Sequence, residues 1–211
     1  MNQFTQGDQT KNPSDVVKLP LNKEQMKVLV SMLLLTMTDT ENHNSTFSLI
    51  KAIDSRRFLS PEFYDLIEKL LELSVQSLKA GVRQHSSSIF LKFLITYPLD
   101  RKRLLQHLQQ IVLNKKYEYD EGRLSAIKLI DSVVDKLPLP FLEQHGKKFF
   151  FLVNDESSSC REAVAHVITN FFKRSSMDQL QLYYDYMKRW FLEQGDAAVN
   201  ANISATFWPA C

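Results

Sequence analysis

Arg123 lies among three carboxylates, Glu118, Asp120 and Glu121, in the stretch YEYDEGRLSAIKLIDSVVDKL from Tyr117 to Leu137. A guanidinium held by acids can orient or charge a reacting group, so this cluster is the first candidate for chemistry. The second is Cys160 as a nucleophile, with His166 as the base nearest to it in sequence. Six residues of helix turn by about 600°, which sends those two side chains to different faces. Asp155 can be nominated as the orienting third group, but no spacing supports it. Cys160 therefore reads as a packed small hydrophobe rather than a hydrolase nucleophile. His43, His85, His107, His145 and His166 are scattered without ligand spacing, and no metal site is expected. The five glycines stand singly, so no loop cradles a phosphate and no cofactor is expected.

The elements that must carry these residues are helices. Only 5 Gly and 7 Pro interrupt 211 residues, and no stretch alternates polar and apolar side chains with period two. Residues 1–18 are polar, lack periodicity and read as a disordered tail. Residues 19–194 read as one helical domain, and 195–211 as an atypical C-terminal segment. Asn22 caps a first helix through Thr38, and Thr46 to Arg57 form a second. Ser60-Pro61-Glu62 opens a third, a hydroxyl cap followed by Pro at the first helical position. Further helices are expected over Val82–Tyr97, Leu99–Leu113, Glu121–Leu137, Leu139–Val153, Asp155–Lys173 and Met177–Glu193. Asn154 or Asp155 is expected to cap the eighth, and Ser175 with Asp178 the ninth.

Three of these segments repeat. Aligned on Arg83, Arg123 and Arg161, they are 40 and 38 residues apart. Seven positions on come Phe90, Ile130 and Ile168; eleven on come Leu94, Val134 and Phe172. Four positions on, Ser87, Ile127 and Ala165 are mostly small. Two helices in about 40 residues is the period of HEAT-type repeats, in which no unit buries its apolar stripe alone. The fold class is all-α, an α-α superhelix of about four helical hairpins. Gly122 and Arg123 then mark the entrance of a repeat's second helix, and Arg83, Arg123 and Arg161 are its joint residues.

Charge is nearly balanced, 26 basic against 24 acidic residues, and demands neither nucleic acid nor membrane. Between Lys79 and Lys148 the count is 13 against 7, a local +6. Arg101, Lys102, Arg103, Lys115, Lys116, Lys147 and Lys148 are the candidate contacts to RNA or a partner. Lys173-Arg174 and Lys188-Arg189 are similar pairs, and cations at helix C-termini also suit the helix dipole. The most apolar run, Val28 to Met37, is half the length of a bilayer span, so no membrane partner is expected. Two cysteines, Cys160 and Cys211, fit a reducing intracellular compartment.

Four blocks carry a resemblance. They are FSLIKAIDSRRFLSPE from Phe47, VRQHSSSIFLKFLITYPL from Val82, YEYDEGRLSAIKLI from Tyr117 and LVNDESSSCREAV from Leu152. In order and spacing they resemble a segment of the small-subunit processome component 20 family, very large nucleolar HEAT-repeat proteins also called down-regulated in metastasis. The resemblance implies a fragment or truncated form of such a protein. It further implies a non-enzymatic scaffold of the nucleus and nucleolus, acting in ribosome biogenesis and small-subunit pre-rRNA processing. Its implied partners are pre-ribosomal RNA and other processome proteins, with no small-molecule substrate. The competing reading is a HEAT-type adaptor unrelated to ribosomes, such as a transport or phosphatase scaffold.

Overall fold

The computed structural model describes residues 21–37, 43–113, 117–145, 153 and 155–193. Its elements are α1 (Lys23–Thr36), α2 (His43–Ser55), α3 (Pro61–Gln76), α4 (Ala80–Thr96), α5 (Arg101–Leu113), α6 (Asp120–Lys136), α7 (Leu139–His145), α8 (Ser158–Arg174) and α9 (Met177–Glu193). No strand occurs among the described residues. The expected tail, the C-terminal segment and the later part of the helix expected to reach Val153 fall outside them.

The helices form two rows. In the first row, α1, α3, α5, α7 and α9, the residues before each helix are Asn22, Ser60, Asp100, Pro138 and Ser176, at intervals of 38, 40, 38 and 38. Four of these five are short polar residues that satisfy an orphan N–H of the first turn. Asn22 accepts from the Gln25 amide at 2.8 Å, and the Gln25 side chain returns to the Asn22 amide at 2.9 Å. Ser60 accepts from Phe63 at 3.2 Å, Asp100 from Arg103 at 2.8 Å and Ser176 from Gln179 at 3.4 Å. The ninth helix is thus capped one residue later than its expected Ser175. The second helix starts at His43, three residues before its expected Thr46. It ends where Arg57 enters the left-handed region at φ 52°, which costs a non-glycine residue about 1 kcal/mol.

The second row contains α2, α4, α6 and α8. Helices α4, α6 and α8 are each 17 residues long and start 40 and 38 residues apart. Each buries its third, seventh, tenth, eleventh, fourteenth and fifteenth residues: Val82, Ser86, Ile89, Phe90, Phe93 and Leu94 in α4, and their equivalents in the other two. That face spans two adjacent stripes, since each helix packs on its hairpin partner and on its row neighbours. The position buried in all three helices lies one residue before the expected small one, where only Ile127 is buried. Ser86, Ala126 and Val164 are buried, whereas Ser87 and Ala165 are only half-buried.

Packing joins the rows into one stack. Helix α3 packs on α4 and on α1, and α6 packs on α4, α5 and α8. Between α3 and α4, Tyr97 stacks on Phe63 at 5.5 Å and meets Phe93 at 4.6 Å. Aromatic pairs of this kind add about 0.5–1.5 kcal/mol beyond the area they bury. Four hairpins and a ninth helix make the described residues an α-α superhelix, as the 40-residue period implies.

Candidate functional site

The N-caps of α4, α6 and α8 are Lys79, Tyr119 and Ser157, and none makes a side-chain capping bond. Asp155, an expected cap, instead accepts the Ser157 amide at 2.9 Å. An arginine at the fourth position of each helix organises the turn. Arg83 Nη1 donates to the carbonyls of Ser77 and Leu78 at 2.7 and 3.1 Å. Arg123 Nη1 donates to Tyr117 and Glu118 at 2.9 and 2.8 Å. Arg161 Nη1 donates to Asp155 and Glu156 at 2.9 and 2.8 Å. Carbonyls left unpaired in a packed turn are costly, and one guanidinium here satisfies two of them.

Two of these arginines also reach the next repeat. Arg83 Nε donates to Ser125 Oγ at 3.2 Å. Arg123 forms a fork with Asp155, Nε to Oδ2 at 2.9 Å and Nη2 to Oδ1 at 3.1 Å. Burial acts to raise the Asp155 carboxyl. The hydrogen bonds from Arg123 and the Ser157 amide, together with the Arg123 charge, outweigh burial and hold it below the usual carboxylate range. The three acids beside Arg123 in sequence do not form its ion pair. Glu118 offers only its carbonyl, and Asp120 accepts from Ser157 Oγ at 3.3 Å.

Gly122 sits at the third position of α6, where α4 has Val82 and α8 has Cys160. A Cβ there would run into the Tyr117 ring and lie 2.5 Å from the Val75 carbonyl oxygen. The glycine lets α6 start against the end of α3. Cys160 is fully buried and its Sγ donates to the Asp120 carbonyl at 3.6 Å. Burial raises its thiol, the reverse of what a nucleophile needs. His166 is exposed on another face of α8, its Nδ1 3.1 Å from Asp131 Oδ2, and Asn170 donates to the same carboxylate at 2.9 Å.

Of the basic candidates, Arg101, Lys102 and Arg103 occupy the first turn of α5, exposed. The helix dipole gives cations no stabilisation at that end. Arg103 lies 5.2 Å from the Tyr64 ring centroid and donates to its hydroxyl at 3.3 Å. Lys115, Lys116, Lys147 and Lys148 lie outside the described residues. Arg174 is committed to structure, donating to the Val134 carbonyl and, at 2.9 Å, to that of Leu137. The short α3–α4 and α5–α6 links make those hairpins antiparallel. Arg56-Arg57 and Lys173-Arg174 follow or close C-termini of second-row helices, and Arg101 to Arg103 open α5 in the first row.

Sequence reasoning passed over a groove of about 830 Å³ between α3 and α5. Its available signal was the run Gln106-His107-Leu108-Gln109-Gln110, polar where a core-facing stripe was due. Among the described residues no three His, Cys, Asp or Glu side chains converge as a metal site, and no helix is long and apolar enough to cross a membrane.

Repeating hairpins, a continuous second row and arginine joints define a helical-repeat solenoid of HEAT/armadillo-like type. The chain is similar to U3 small nucleolar RNA-associated protein 20 of Schizosaccharomyces pombe, 26% identical over 149 residues, covering 68% of this chain and 6% of that protein. It is also similar to the Saccharomyces cerevisiae protein of the same name, 24% identical over 188 residues, 87% of this chain and 8% of that one. These relatives bear out the resemblance carried by the four sequence blocks. The chain spans less than a tenth of their length. No family model matches. Among solved structures, a designed armadillo repeat protein aligns over 90% of this chain and 87% of its own, with a TM-score of 0.44 and 14% identity.

Proposed function

We propose that the chain is a non-catalytic scaffold segment of the small-subunit processome, acting in ribosome biogenesis and pre-rRNA processing in the nucleolus. The similarity to the two U3 small nucleolar RNA-associated proteins carries this reading. The architecture supports it: the geometry that recurs between repeats goes into joints that hold helices in register, as an extended scaffold requires. Cys160, the candidate nucleophile, is buried with a raised thiol, and His166, its candidate base, is exposed beside Asp131 on another face of α8. Pre-ribosomal RNA and other processome proteins are the partners. RNA phosphates would meet the start of α5, which carries Arg101, Lys102 and Arg103, with Lys115, Lys116, Lys147 and Lys148 as the remaining contacts.

The test is crosslinking and affinity capture of the tagged chain from cells, read for both RNA and protein. Enrichment of precursor ribosomal RNA together with nucleolar assembly factors is the expected result. Recovery of transport cargo or phosphatase subunits without ribosomal precursors would replace this reading with the adaptor one.

A further inference from the structure

The first row is interrupted between α3 and α5. Counting from the caps Ser60 and Asp100, the α3 positions Phe63, Leu66, Ile67 and Leu70 correspond to Arg103, Gln106, His107 and Gln110 of α5. On α3, which packs on α1, these four side chains are fully buried. On α5 three of them, Arg103, Gln106 and Gln110, are exposed, and all four line the groove of about 830 Å³ that opens toward α3. The stripe that is buried on α3 has become polar on α5, where it lines the groove.

The groove has two unlike walls. On α3, Asp65 and Glu68 are exposed, with Tyr64 beside them. On α5, Gln106, Gln109 and Gln110 present carboxamides, each with two donor hydrogens and an acceptor oxygen, and Gln110 also uses one of its bonds on His107. The single lining cation, Arg103, is engaged by Tyr64 and lies 3.8 Å from Asp100. At the floor, His107 is 8% exposed and its Nδ1 has no hydrogen-bond partner, which favours a polar occupant over an apolar one.

We infer that this groove binds an extended, Lys- or Arg-containing peptide segment of a protein partner. Carboxamides can pair with both the N–H and the C=O of a peptide backbone, and a row of them on one wall suits an extended chain. Asp65 and Glu68, one turn apart on the other wall, take the basic side chains through charge-assisted bonds. From Arg103 to Gln110 is roughly 10 Å of helix, the length of three or four extended residues. The two carboxylates disfavour a nucleic-acid backbone in the same place. Recognition of this kind does not depend on the particle the chain serves.

A phage-displayed library of random octapeptides, selected on the full chain, tests the inference. Enrichment of sequences with two Lys or Arg residues in alternate positions is expected. Asp65→Lys with Glu68→Lys should weaken the selected peptides at least tenfold, and Gln106→Ala with Gln110→Ala severalfold. All four residues are exposed, and circular dichroism checks that the variants stay helical. The inference is overturned if acidic or purely apolar peptides are selected, if nothing is enriched, or if binding survives the charge reversal. Displacement of the selected peptide by an RNA decamer, undiminished in the Gln106→Ala/Gln110→Ala variant, would also overturn it and assign the surface to RNA.

Discussion

The Arg123 guanidinium forks onto the Asp155 carboxylate at 2.9 and 3.1 Å across 32 residues of chain, while its Nη1 holds two carbonyls of its own repeat. One side chain thus fixes a turn and the spacing to the next repeat. Arg123→Ala removes both and leaves a largely buried carboxylate, a loss of about 3–5 kcal/mol. Arg83→Ala, whose inter-repeat partner is the neutral Ser125 hydroxyl, costs less. Urea unfolding of the two variants checks the order, and an Arg83 effect equal to or above that of Arg123 contradicts it.

Acid should weaken the same joint. The Asp155 pKa is depressed in the folded state, so its contribution is complete above the unfolded value of about 3.9 and is lost as pH falls through the folded value. The difference in stability between the parent and Asp155→Asn is therefore large at pH 7 and shrinks below pH 4. Paired urea melts at pH 7 and pH 3 measure it, and a gap that is constant with pH argues against the joint.

Two glycines respond oppositely to alanine. At Gly122 the added methyl meets the Tyr117 ring and a backbone carbonyl, and overpacking of this kind costs about 1–3 kcal/mol. At Gly81, also helical, nothing lies within 4 Å of the new Cβ, so Gly81→Ala stabilises by up to about 1 kcal/mol. Thermal melts of both variants should move in opposite directions.

The Cys160 thiol, buried and raised in pKa, should be alkylated slowly in the folded protein and rapidly in urea. The experiment uses a Cys211→Ser background so that a single thiol reports. Fast labelling under native conditions would restore Cys160 as a reactive group.

Replacing Arg101, Lys102, Arg103, Lys115 and Lys116 by Ala should weaken single-stranded RNA binding and flatten its salt dependence. The slope of log K against log salt becomes shallower by roughly 0.7 for each phosphate that the variant no longer neutralises. A slope unchanged from the parent removes these residues as the RNA surface.

Sequence alone determined the helical class, the 40-residue period and the positions of Arg83, Arg123 and Arg161, because these follow from local patterns. Apolar spacing along a helix, a cap before Pro61 and a residue recurring at fixed intervals are all visible without a neighbour. It also separated Cys160 from His166, since helical rotation does that by itself. Tertiary structure decided who meets whom. Arg123 passes over the acids adjacent in sequence for Asp155, because the stacking of α8 on α6 brings that carboxylate into its plane. Ser86, Ala126 and Val164 are the positions buried in all three helices, because the buried face of each is set by neighbours on several sides. The polar turn of α5 reads in sequence as a solvated face. Only its alignment with the buried stripe of α3 shows that it lines a groove, because a cleft is a relation between two helices and neither contains it.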